Sequence, residues 1–226
     1  VNYTGAALLA GEAAYRSGAG LVRLAVPSPL YGPLAGQLPE AIWLLLPHDD
    51  GVISSQAADV LLDHLDRSTA LLLGCGWGRE DETGEFLADL LGAPARQARG
   101  SMGFLSDRPP GREMGKGLPP LVIDADGLRL LAAQADWPAR LPSETILTPH
   151  PGEMSALTGL SMEDIQRDRT AVARRYAREW GQVVVLKGAN TVIAAPDGAV
   201  YVIPVATAAL ARAGTALLGT SVPSDM

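Results

Sequence analysis

Four short stretches gather residue types that can do chemistry. "TPHPGE" (148–153) clamps a histidine between two prolines and places a carboxylate three residues on. Proline fixes its own φ and restricts the residue before it, so the loop presents His150 in one pose. Glu153 then stands at the start of the following helix, where it can cap that helix or reach a hydrated metal ion. "LKGANT" (186–191) puts Lys187 directly after the run "VVVL". A lysine leaving a buried strand there is either a phosphate contact or an ordinary surface lysine. "GCGWG" (74–78) supplies glycines at alternate positions, which suits close backbone approach to a ligand and equally suits a tight turn. "DADG" (124–127) ends another apolar run with two carboxylates, which read as a helix cap and loop anchor or as a catalyst.

All four stretches terminate apolar runs. "LVRLAV" (21–26), "IWLLL" (42–46), "ALLLG" (70–74), "LVIDAD" (121–126), "TILTP" (145–149) and "VVVLKG" (183–188) read as buried strands. Helical patterns lie between several of them. Residues 6–17 form an alanine-rich helix with Thr4 as N-cap and Gly18 as stop. Residues 161–180 read as one helix, opened by a capping-box spacing from Ser161 to Asp164, with Ile165, Val172, Tyr176 and Trp180 on one face and arginines on the other. This alternation predicts a mainly parallel sheet covered on both faces. Residues 191–203, with a Pro-Asp-Gly turn, predict an antiparallel hairpin. In such a sheet ligands sit beyond the carboxyl ends of the strands, where the four stretches fall. Residues 93–120 carry five Gly, five Pro, five basic and two acidic residues. They read as a long loop, either a surface insertion or a basic flap over a phosphate ligand.

With 226 residues, 47% hydrophobic and 19% charged, the chain suits one folded domain, 1–226. Its net charge of −7, from 18 basic and 25 acidic residues, argues against nucleic acid or an anionic membrane as partner. A single cysteine, Cys75, leaves no internal disulfide and fits a reducing compartment. Glu12 and Arg16 interrupt the first apolar run, so it does not read as a secretory signal. The expectation is a cytoplasmic protein.

The ordered set "YTGAALLAGEAAYRSGAGLVRLAVP", "LLLGCGWG", "VIDADGLRLL", "ILTPHPGEMSALTG" and "VVVLKGANTVIAAPDG" resembles the NAD(P)H-hydrate dehydratase family, from Tyr3 to about Thr215. These are ribokinase-like proteins, also found as the C-terminal half of bifunctional NAD(P)HX repair enzymes. The resemblance implies a three-layer α/β/α fold. It also implies an activity that spends ADP or ATP, with magnesium, to dehydrate (S)-NAD(P)H-hydrate by phosphorylating the C6 hydroxyl and eliminating phosphate. By similarity Ala6, Gly78 and Gly76 line the hydrated-dinucleotide site and His150 hydrogen-bonds that ligand. Lys187, Gly188, Ala189, Asn190 and Thr191, together with Gly214, bind the adenine nucleotide, and Glu153 makes an indirect magnesium contact. A homotetramer is implied, and the 6–17 helix suits an interface as well as a core.

The chain departs from the family pattern in places. Cys75 stands where proline is usual, and Arg129 stands where an asparagine often follows "DADG". The family's "AGTGDVLAG" supplies a helix N-terminus for phosphates and an aspartate base. Here Gly214 and Thr215 match, but Ala216 and Leu217 replace Gly-Asp, and the flanking first strand and last helices are not evident. The reading preferred on sequence is that residues are missing between "AGT" and "ALLGT"; a truncation and a variant that binds without turnover are the others. Two further functions stay open: a ribokinase-fold kinase for a small alcohol, and a non-catalytic nucleotide-binding homologue.

Overall fold

The computed structural model describes residues 3–65, 67–92 and 118–205. The first elements are α1 (Ala6–Arg16), β1 (Arg23–Pro27), α2 (Ser28–Ala35), β2 (Ile42–Leu46), β3 (His48–Asp49), β4 (Val52–Ile53) and α3 (Ala57–Asp63). Then follow β5 (Leu71–Leu73), α4 (Asp81–Leu90), β6 (Leu121–Ile123), α5 (Asp126–Ala132), β7 (Thr145–Leu147) and α6 (Pro151–Thr158). The described chain closes with α7 (Met162–Arg167), α8 (Arg169–Trp180), β8 (Val183–Leu186), β9 (Thr191–Ala194) and β10 (Val200–Ile203).

Every apolar run forms a strand. The main sheet has the order β10-β9-β8-β7-β6-β5; β5 to β8 run parallel, and β9 and β10 add antiparallel as the expected hairpin. β1 and β2 pair parallel in a separate ribbon, and β3 with β4 makes a short hairpin. "LVIDAD" is strand only to Ile123, because Asp126 already opens α5.

Side-chain alternation separates the two faces of the sheet. Leu73, Leu121, Ile123, Leu147, Val184, Leu186, Val192 and Ala194 are buried. They pack with Phe86, Leu87, Leu128, Met154, Ala177 and Trp180 from α4, α5, α6 and α8 in one apolar cluster. The register places Leu72, Val122, Ile146 and Val183 side by side on the opposite face. There Leu72 and Ile146 remain 39% and 36% exposed.

Two helix expectations change. α1 starts after Gly5 with no side-chain cap, so Thr4 is not its N-cap. The stretch 161–180 is two helices, because Asp168 adopts φ −147° and ψ 78° and its carboxylate accepts the Ala171 N–H at 2.8 Å. An Asp side chain offers the backbone this alternative to continuing a helix, so α7 ends and α8 receives its own cap. Ser161 does cap α7, accepting the Asp164 N–H at 3.1 Å.

Candidate active site

The parallel ladder continues one step past the strands and sets their ends in line. Asp124 N–H donates to Leu73 O (3.0 Å), Thr148 N–H to Ile123 O (3.1 Å) and Lys187 N–H to Pro149 O (2.8 Å). The ends of β5, β6, β7 and β8 therefore form one rim. Lys187 Nζ bonds Asp124 Oδ1 and lies 3.8 Å from Glu153 Oε2. Both carboxylates are buried, so the ammonium and the two carboxylates compensate one another away from water. Lys187 is thus no free surface cation, and with one hydrogen bond made, to Asp124, its ammonium keeps donors for a ligand. Asp124 combines both sequence readings: it anchors the Ala125 N–H at 2.8 Å and partners Lys187. Ala125, at φ 52° and ψ −124°, holds backbone strain unusual for a residue with a Cβ.

His150 is the N-cap of α6, with Pro151 in the first helical position. Its Nδ1 accepts the N–H groups of Gly152 (3.0 Å) and Glu153 (3.2 Å), while Glu153 Oε2 accepts the His150 N–H at 2.8 Å. This capping box fixes the tautomer: Nδ1 is an acceptor, so Nε2 carries the proton of the neutral ring. Burial holds the imidazole pKa below its ordinary value, and the positive charges of Lys187 and Arg129 add to this. Burial raises the Glu153 pKa against the opposing pull of Lys187.

The glycine corner joins the rim from β5. Gly76 has φ +75°, and a Cβ there would come within 2.7 Å of Ala6 Cβ and 2.8 Å of the Tyr3 carbonyl, so only glycine fits against α1. Gly78 N–H donates to Asp126 Oδ2 at 3.1 Å, which ties the corner to α5. Trp77 packs edge-on against Phe86 of α4 at 5.2 Å and pins the loop to the core. A niche of about 40 Å³ adjoins Thr4, Pro27, Gly76 and Trp77. A wider concavity of about 600 Å³ lies elsewhere, by Ser28, His48 and Gln56. It holds none of the rim's paired charges, so the chemistry is placed at the rim.

Ala6, Gly76, Gly78, His150, Glu153 and Lys187 thus meet at one edge, and Gly188, Ala189, Asn190 and Thr191 follow Lys187 directly. Gly214, like the residues 93–117 of the long loop, lies outside the described residues. Sequence reasoning missed three participants. Cys75 sits among Asp124, Lys187, Asp126 and Glu153, and burial first, then Asp124, pushes its thiol up to about 12. Arg129 reaches the His150 loop: a Cβ on Gly152 would lie 3.7 Å from Arg129 Nη2. Arg169, treated as one of several surface arginines, bonds the Lys187 loop. No sequence signal marks it, because the two carbonyls it holds lie 20 and 17 residues away.

Residues 1–95 and 112–216 match the profile of the family described as NAD(P)H-hydrate dehydratase. The chain belongs to the NAD(P)H-hydrate dehydratase family. It is 39% identical over 213 residues to the bifunctional NAD(P)H-hydrate repair enzyme Nnr of Moorella thermoacetica, covering 94% of this chain and 36% of that one. It is 32% identical over 211 residues to the ADP-dependent (S)-NAD(P)H-hydrate dehydratase of Bacillus subtilis, covering 93% and 63%. The chain therefore spans about a third of the length of its bifunctional relatives in the NAD(P)H-hydrate dehydratase family. The crystal structure of the Bacillus subtilis ADP/ATP-dependent enzyme, co-crystallised with ATP/Mg2+, superposes with a TM-score of 0.69 at 30% identity, covering 96% of this chain and 65% of that one. A ribokinase-like protein from Enterococcus faecalis, 22% identical with a TM-score of 0.70, shares the fold.

Proposed function

We propose that this protein takes part in the ADP- or ATP-dependent dehydration of (S)-NAD(P)H-hydrate to NAD(P)H. The observation that carries this reading is the convergence of the glycine corner, the His150 cap and the Lys187 loop on one rim. A hydrated dinucleotide would lie against Ala6, Gly76 and Gly78, with the His150 Nε2–H, 3.2 Å from Glu153 Oε1 in this structure, turned to it as donor. The adenine nucleotide would lie on Lys187–Thr191, with Gly214 joining it. Hydroxide is a poor leaving group, so the terminal phosphoryl group passes to the C6 oxygen while that hydroxyl loses its proton to a base. The C6–O bond then breaks with the ring nitrogen lone pair driving phosphate out, and loss of the C5 proton restores the reduced nicotinamide. Positioning and charge neutralisation do most of this work, which suits a rim rich in fixed donors.

Magnesium belongs to the reading as a passenger of the nucleotide. Asp124 and Glu153 already pair with Lys187, and among the described residues no group of three or more metal-binding side chains is assembled. These residues fit a hydrated ion touched by Glu153 through water, and the ion would neutralise phosphate charge. The reading also carries a cytoplasmic homotetramer, with α1, half-buried along most of its length, at the interface. No helix among the described residues is long and apolar enough to cross a membrane.

The test supplies the protein with hydrated NADH, ADP or ATP, and magnesium, and follows the absorbance of reduced nicotinamide. Recovery with either nucleotide is expected. A stable phosphorylated product without that absorbance would identify a kinase instead, and no turnover with either nucleotide would overturn the reading.

A further inference from the structure

We infer that Arg169 is the positioning residue of the nucleotide loop: its guanidinium sets the backbone of Lys187–Thr191 in the conformation that takes the adenine nucleotide. The inference rests on the reading above that this loop binds that ligand. Arg169 stands in the first turn of α8, immediately after the Asp168 break. Its Nη1 donates to Ala189 O at 2.7 Å and its Nη2 to Leu186 O at 2.8 Å, the carbonyls on either side of Lys187 and Gly188.

Both peptide groups are also held at their other end. The peptide joining Leu186 to Lys187 donates its N–H to Pro149 O at 2.8 Å. The one joining Ala189 to Asn190 donates to Val205 O at 3.2 Å. Between these two pinned planes, the N–H groups of Gly188 and Ala189 have no acceptor among the described residues. Successive free N–H groups beside a lysine are the elements of an anion cradle. Gly188, at φ +145°, is fitted to the arginine, since a Cβ there would lie 2.7 Å from Nη1 and 2.9 Å from Nη2.

The Arg169 hydrogen bonds among the described residues both go to carbonyls, and its Nε is buried without a hydrogen bond. Burial lowers its pKa. A surface arginine kept for solubility would not give up water for two carbonyls, whereas a planar fork holding two carbonyls at fixed separation sets a loop's shape. A lysine reaches one of those carbonyls at a time.

The experiment compares Arg169→Met, Arg169→Lys and Lys187→Ala by calorimetry with ADP and ATP in magnesium, by calorimetry with hydrated NADH, and by thermal melting. Arg169→Met is expected to raise the Kd for adenine nucleotide about tenfold, about 1.4 kcal/mol, and to leave that for hydrated NADH unchanged. Arg169→Lys is expected to fall between it and the wild type. Wild-type nucleotide affinity in Arg169→Met, with Lys187→Ala impaired, would overturn the inference and leave the loop assignment standing. Equal weakening of both ligands together with a lowered Tm would also overturn it, as a general structural role. Wild-type nucleotide affinity in Lys187→Ala would overturn the loop assignment itself, and the inference with it. Should Arg169→Met fail to fold, Arg169→Lys decides, and unchanged nucleotide affinity there would overturn the inference.

Discussion

The loops carrying His150 and Lys187 meet at the same rim but are shaped by opposite means. The His150 loop is held by its own sequence: two prolines and a capping box closed between residues 150 and 153. The Lys187 loop has one local bond, from the Thr191 hydroxyl to Gly188 O at 3.1 Å, and is otherwise held from a distance. Pro149, Arg169 and Val205 hold its backbone, and Asp124 holds its side chain. A locally closed loop should tolerate changes elsewhere, and a remotely held one should not.

The largest expected effect follows from removing the cation that joins them. Lys187→Ala leaves Asp124 and Glu153 buried without a positive partner, and should cost about 3 kcal/mol of stability in urea unfolding. A loss under about 1 kcal/mol would mean the pair behaves as an exposed one. Gly188→Ala comes next, because φ +145° and the guanidinium both exclude a Cβ. About 2 kcal/mol of strain is expected, with nucleotide affinity falling and hydrated-dinucleotide affinity unchanged in calorimetry.

His150→Ala should remove a helix cap, at a cost of about 1 kcal/mol. His150→Asn sharpens the comparison, because asparagine is a good N-cap without an imidazole. It should restore stability while dinucleotide binding stays weak. Recovery of both would make His150 a cap only.

A smaller effect is pH-dependent. Burial, then Lys187 and Arg129, lower the His150 pKa below 6.5, so the unfolded chain takes up a proton at higher pH than the folded one. The stability from this group is full above 6.5 and is lost as pH falls through the folded pKa. Denaturation midpoints should therefore drop on the acid side of neutrality, and the His150→Asn variant should show a flatter profile. Least in energy is Cys75. With its thiol pushed up to about 12, it should alkylate far more slowly with iodoacetamide at neutral pH than a free thiol does.

Legibility followed the same division. The strands were legible because buried parallel strands are continuous apolar runs, and the Pro-Asp-Gly hairpin because its turn chemistry is local. The His150 clamp was legible too, though its main visible work is capping α6. The single helix expected over 161–180 failed at Asp168, where one side-chain bond to the Ala171 N–H outweighed a continuous amphipathic pattern. Asp124 stayed open between anchor and catalyst because its partner, Lys187, lies 63 residues away.

The amino-acid order alone determined the strands, the parallel sheet with its hairpin, the proline-held histidine and the family resemblance, because each is written in short patterns of residue type along the chain. Only the tertiary structure decided that Asp124 and Glu153 share the Lys187 ammonium and that Arg169 grips the loop beyond β8. Those bonds join distant residues whose meeting depends on strand order and register. Ionic and hydrogen-bond partners are chosen by proximity in space, and no spacing along the chain records it.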